Sequence, residues 1–318
     1  MSRESHKVVP FPDNDERHVQ LGQAALRAGE FSQAVAHFQA AYRDQHTFAV
    51  NRQMIEAMLH AGQASEAVPY AEEFIEGYAR TLTDGLLYGQ LLIESHRFLA
   101  AQEWLVNLQD LAHSPEDQAR LAELTDVFTN QQERYLAANQ AGQAALIKQF
   151  AGLAGVNTME QTMRINQLAQ LPVPTFDQIA PRLMIDEFIS QGLRNTVALH
   201  YVTLRETAPR RLLWFDDVIT FTPNAVGNPF DNPVADAWQR VVTAAENDNP
   251  EQALILDQEL HLYMLLLFPR LTDVVADPAA WAQVVSARIA DPAAPITAAP
   301  KIKRWLTRLD DALNALNQ

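Results

Sequence analysis

The chain has 318 residues and no cysteine. That excludes thiolate nucleophiles, iron–sulfur ligation, Cys-based zinc fingers and disulfide staples, and it fits a reducing compartment, so the expected location is the cytoplasm. Glycine is scarce at 11 residues and aromatics make up 8%. With abundant Ala, Leu and Gln, this composition favours long helices over many-stranded sheets. The longest apolar run, Leu262–Phe268, is far short of the roughly 20 residues that span a bilayer, so no membrane partner is expected. Positive charge is also short. Lys and Arg total 24 against 39 Asp and Glu, a formal charge of −15, which repels phosphate backbones, so no nucleic-acid partner is expected. Met1 to Asp15 is polar and broken by proline, with no apolar stretch ahead of a small-residue cleavage site. It reads as a loose arm rather than a secretory signal.

What is present is a repeat. Gly29-Glu30-Phe31 leads to Ala34, Gly62-Gln63-Ala64 to Ala67, and His96-Arg97-Phe98 to Ala101, at spacings of 33 and 34 residues. The same offsets relate Leu21-Gly22, Met54-Ile55 and Tyr88-Gly89, and then Phe38, Ala71 and Leu105. Small residues at fixed positions let two antiparallel helices approach closely, and large apolar ones fill the gap to the next pair. In the first unit, Gly22 and Ala34 stand at the expected crossing, Gly29 ends the first helix in the left-handed conformation, and Phe31 and Phe38 supply bulk.

This pattern resembles the tetratricopeptide (TPR) signature over residues 15–113. His18, Asn51 and Gly85 replace the signature's Trp, and His46, Ala79 and His113 its final Pro, so the second and third units are degenerate. The overall arrangement, this start followed by a HEAT-like middle over Thr158 to Glu206, a small hairpin near 212–222 and an apolar helix around Gln258-Glu259-Leu260-His261-Leu262, resembles a TPR-protein family of low-GC Gram-positive bacteria, from which no catalytic residue, ligand or partner carries over.

Beyond residue 113, Ser114-Pro115-Glu116-Asp117 is a helix start, with Ser as N-cap and acids at the positive end of the dipole. Leu121, Leu124, Phe128, Tyr135 and Leu136 recur at helical spacing, so one helix is expected to run as far as Phe150 before Gly152 and Gly155. From Thr158 to Glu206, helices broken at Pro172, Pro174, Pro181 and Gly192 look HEAT-like. Leu212 to Phe215 and Val218 to Thr222, around Asp216-Asp217, predict a hairpin. Pro223 to Pro233 is a loop in which Phe230 is either an anchor onto the body or an exposed contact. Further helices are expected over Val234 to Glu246, Pro250 to Phe268 and Pro278 to Ile289, then a final one after Pro300.

The expected fold is therefore all-α: an α-α superhelix of TPR type followed by a HEAT-like, mostly helical region with one small β-hairpin. Residues 1–14 form the arm, 15–113 three repeats, 114–155 a long helix that caps the repeats and connects them onward, and 156–318 the C-terminal region with its hairpin near 212–222.

The resemblance implies a concave groove lined from the first helix of each repeat: Val19, Gln23, Leu26 and Arg27, then Arg52, Glu56, Leu59 and His60, then Leu86, Gln90, Ile93 and Glu94. Leu26, Leu59 and Ile93 could bury partner surface while Arg27, Arg52 and Glu56 supply charge complementarity. The N-terminal arm or the C-terminal half could instead fill the groove. Chaperone-binding TPR domains hold a C-terminal carboxylate with Lys and Asn where Val19 and Gln23 stand here, so that clamp is absent and chaperone tails are disfavoured.

Catalytic signals are weak. Glu56 with His60 and Asp257 with His261 lie four apart on helices, but two ligands do not make a metal site, so no metal or other cofactor is expected. No P-loop, HExxH, GxSxG or GxGxxG is present. Asp216-Asp217 and Asp310-Asp311 are neighbours that point apart. The last helix carries Ile302, Trp305, Leu306, Leu309, Leu313 and Leu316 on one stripe and Lys301, Lys303, Arg304 and Arg308 elsewhere. Those cations lie in its first turns, where the dipole disfavours them, so a compensating acid is expected, most simply the protein's own acidic surface. The function expected from sequence is a non-catalytic adaptor binding a peptide or partner protein. The alternatives are an enzyme centred on Asp217, Asp257 and His261, or a structural, self-associating protein.

Overall fold

The computed structural model describes residues 14–291, 295 and 297–316. The expected arm, 1–14, lies outside the described residues except for its last position. The chain is all-α with one small antiparallel hairpin, and it divides into two compact units, Met1–Tyr135 and Leu136–Gln318.

Unit 1 is a succession of helical hairpins: α1 (Asn14–Arg27) with α2 (Phe31–Asp44), α3 (Phe48–His60) with α4 (Ala64–Glu72) and a short α5 (Ile75–Tyr78), and α6 (Leu82–Glu94) with α7 (Phe98–Leu108). It ends in α8 (Pro115–Ala138), whose last residues pass into unit 2. The sequence dictates where the first helix of each pair stops. Gly29, Gly62 and His96 all have positive φ, at 75°, 71° and 59°. The N–H groups at these positions donate to Leu26, Leu59 and Ile93 O, and those of Glu30, Gln63 and Arg97 donate to Ala25, Met58 and Leu92 O. This double bond pattern satisfies carbonyls that the helix end would otherwise leave bare. Packing repeats with the same period. Gly22 lies so close to Phe38 that an added Cβ would stand 2.8 Å from its ring, and Phe38, Ala67, Ala71, Phe98 and Ala101 are fully buried. Asn51, at a position where the repeat resemblance expects Trp, is buried too. It donates to Tyr70 O (2.8 Å) and accepts from the Tyr78 hydroxyl (2.8 Å), tying α3 to α4 and α5.

The single helix expected from 115 to 150 is two. Asn139, at φ −121°, ψ 31°, leaves the helical region and separates α8 from α9 (Gln140–Ala151). The reason is tertiary: α9 packs on α11 (Val173–Leu183), where Thr175 Oγ1 donates to the buried Gln143 side chain at 2.6 Å.

Unit 2 continues with α10 (Thr158–Asn166), α11, α12 (Gln191–Thr203), strands β1 (Arg210–Trp214) and β2 (Asp217–Phe221), α13 (Pro223–Val226), α14 (Pro233–Glu246), α15 (Pro250–Leu267), α16 (Leu271–Val274), α17 (Pro278–Ala290) and α18 (Pro300–Leu316). Leu212 pairs with Ile219 and Trp214 with Asp217, so the hairpin has the expected place and turns on Phe215 and Asp216. Helices fill 158–206, but the expected breaks are not all there: Pro174 and Pro181 lie within α11 and Gly192 in the first turn of α12, and α12 packs against α10, α11, α13, α15, α18 and β1. This unit is organised around one central helix rather than along a line of neighbours.

Buried polar side chains hold α12 at that centre. Arg194, 5% exposed, donates from Nε to Leu213 O (2.9 Å), from Nη1 to Asp186 O (3.0 Å) and Ile189 O, and from Nη2 to Gln191 Oε1 (3.0 Å). Burial lowers its pKa to about 10, which still leaves it charged near neutrality. Asn195, fully buried, donates to Leu265, Leu266 and Phe268 O. It thereby caps the C-terminus of α15, where carbonyls lack intrahelical partners. The stripe on α18 packs as expected, with Ile302, Leu306 and Leu309 buried, and it docks on α12 and α15. Phe230 combines both readings of it: the ring stacks on His261 at 5.7 Å and stays 42% exposed.

Candidate functional site

Thr81 starts α6 by accepting from the Asp84 N–H (3.2 Å). The inward face of that helix is Leu82, Gly85, Tyr88, Leu91 and Leu92, all buried. The face turned away from α7 carries Leu86, Leu87, Gln90 and Glu94. The next helix that could cover it is α8. Gly89 permits a close approach, since a Cβ there would stand 3.0 Å from Leu124, and Arg120 Nη1 reaches across to Thr83 Oγ1 (3.2 Å). Leu121 and Phe128 of α8 are buried, Phe128 edge-on to Phe98 with ring centroids 6.3 Å apart. Further round α8, Leu124 is half-buried and Val127 is 43% exposed. Between the two helices lies an open trough of about 420 Å³. Leu86, Leu87, Leu124 and Val127 form its floor, and Gln90, Glu94, Arg120, Glu123 and Gln131 its rim.

The sequence-derived residues fall into three groups. Leu86, Gln90, Ile93 and Glu94 come together in this trough, although Ile93 is fully buried and contributes packing rather than contact surface. On α1, Val19, Gln23 and Leu26 are half-buried and Arg27 is exposed; Gln23 Nε2 donates to Gln53 Oε1 (2.7 Å) on the neighbouring α3. On α3, Leu59 is 7% exposed and belongs to the core, and the His60 ring stacks on Phe31 at 4.9 Å instead of meeting Glu56. Arg52, expected to offer a free charge, is held by Asp84 (2.5 Å) and Glu56 (3.6 Å).

The α8 half of the trough lies outside the residues that the repeat pattern singles out, because the sequence marks 114–155 as a helix that caps the repeats and connects them onward, not as a groove helix. The signal was available: adding the repeat length of 34 to Leu86, Gln90 and Ile93 gives Arg120, Leu124 and Val127.

The other candidate residues behave as local structure. Asp257 and His261 approach to 3.3 Å and, with Phe230 and Trp238, line a cavity of about 150 Å³; Asp217 is not among its lining residues. Of the neighbouring carboxylates, Asp216 pairs with Arg308 and Asp310 with Arg288 (2.9 Å). Among the described residues no group of three His, Asp or Glu could hold a metal ion, and no helix is long and apolar enough to cross a membrane. Compared with protein-family models, curated proteins and solved structures, the chain matches none.

Proposed function

We propose that this chain is a non-catalytic, cytoplasmic adaptor of the tetratricopeptide type, which holds a peptide segment of a partner protein in the α6–α8 trough. The observation that carries this reading is the uncovered apolar floor, Leu86, Leu87, Leu124 and Val127, with polar and charged side chains along its rim. An apolar strip set in a polar rim is the arrangement by which preformed grooves take up peptide side chains. The repeat type is supported by helix ends at Arg27, His60 and Glu94, spaced 33 and 34 residues apart and each followed by a residue of positive φ.

The test is affinity capture with wild-type protein and the double variant Leu86→Asp, Val127→Asp, with helicity checked by circular dichroism. Both side chains are at least partly exposed, so the variant is expected to fold while losing its captured protein. An identical set of captured proteins on a folded variant would remove the trough from the function.

A further inference from the structure

The first turns of α18 gather cations that the chain's own chemistry does not account for. Lys301, Arg304 and Arg308 share one face of the helix with Trp305, and Arg270 lies beside them across the hairpin. The Trp305 ring sits 5.4 Å from Trp214 and 5.5 Å from Phe215. The Arg308 guanidinium lies over Phe215 at 4.8 Å and Trp305 at 5.0 Å, and that of Arg270 over Trp214 at 5.3 Å. Arg308 is paired with Asp216. Lys301 reaches only a backbone carbonyl, that of Asp273 (3.4 Å). Among the described residues neither Arg270 nor Arg304, both exposed, has a carboxylate partner. Of these four cations only Arg308 has a carboxylate partner, Asp216, among the described residues, on a chain whose formal charge is −15.

We propose that this surface, with Arg270, Lys301 and Arg304 around the Trp214–Trp305 pair, binds an acidic peptide segment of a partner protein. Three arguments support it. A guanidinium stacked on an indole uses its face and leaves its in-plane N–H fork free for a carboxylate. Lys301 and Arg304 stand at the positive end of the α18 dipole, where cations are unfavourable, so an acidic ligand relieves a cost present in the free chain. The Trp214 indole N–H is buried with no acceptor among the described residues, an unused donor beside the free Arg270. A short acidic stretch matches the few free cations here, whereas a nucleic acid would extend onto surfaces that repel it. The site lies within unit 2 and is independent of the trough.

The test uses the full chain and an end-capped, fluorescein-labelled hexaglutamate peptide, read by anisotropy at low salt. Saturable binding is expected, lost in high salt and absent with capped hexaglutamine. Arg270→Ala and Arg304→Ala should each weaken it about threefold, the scale of an exposed charge pair. Arg182→Ala, which changes an exposed arginine of the same unit lining a different cavity, should leave it unchanged. Both site variants alter exposed side chains, and circular dichroism is to be run on each to check that it folds. Absence of saturable hexaglutamate binding, an equal loss in Arg182→Ala, or tighter binding of octauridylate than of hexaglutamate would each overturn the proposal.

Discussion

Arg52 and Asp84, 32 residues apart, meet at 2.5 Å between α3 and α6, and Asp84 also accepts from the Thr81 hydroxyl at 2.8 Å. One carboxylate therefore joins two successive hairpins and helps to form the first turn of α6. A charge that sequence reasoning offers to a partner is spent inside the array.

The consequence for mutagenesis is specific. Arg52→Glu places three carboxylates together and is expected to destabilise unit 1 by about 1 kcal/mol, the scale of a part-exposed pair. Combining it with Asp84→Arg should restore most of that loss. Urea midpoints of the two single variants and the double variant decide it; simple additivity would mean that the pair does not couple.

At Gly62, φ is +71° and no atom lies within 4 Å of where a Cβ would be. The cost of Gly62→Ala is then conformational alone, about 1 kcal/mol. A thermal midpoint equal to that of the wild type would show that this turn adopts another conformation in solution.

Asn195→Ala removes the donor to three carbonyls at the end of α15 and leaves them buried. A loss of about 3 kcal/mol in the stability of unit 2 is expected, the range for orphaned buried groups. Hydrogen exchange at α12 and α15 should accelerate with it, and protection that survives the change would argue against this role.

The Glu73 carboxylate accepts from the Tyr42 hydroxyl (2.5 Å) and the His46 ring (2.7 Å), which hold its pKa below the usual 4.5. The depressed value means that its contribution is complete above pH 4.5 and is lost as pH falls through the folded-state value. The same carboxylate, together with burial, pushes the Tyr42 hydroxyl upward. Replacing Glu73 by Gln should lower stability at neutral pH, where the carboxylate contributes, leave the acid end little changed, and so flatten the acid limb of the stability profile. An acid limb of unaltered slope would assign that dependence to other carboxylates.

The repeats, the hairpin and the packed stripe of α18 were legible because each depends on local rules: a period of 33 or 34 residues, a turn residue of positive φ, apolar side chains at helical spacing. The α6 half of the trough was legible for the same reason. Its α8 half was hidden because Leu124 and Val127 matter only once α8 is seen to take the place of another first helix.

Local sequence rules settle the all-α class, the turns that end the first helix of each pair in unit 1, and the kinds of side chain available on each face, because backbone hydrogen bonding and side-chain spacing act over a few residues. Only the tertiary structure decided that Arg52 is paired, that Leu59 and Ile93 are core, that the chain breaks at Asn139, and that Asn195 caps a helix 70 residues further on. Those outcomes depend on which surfaces meet and which polar atoms are left without water, and such pairings across dozens of residues leave no period in the chain.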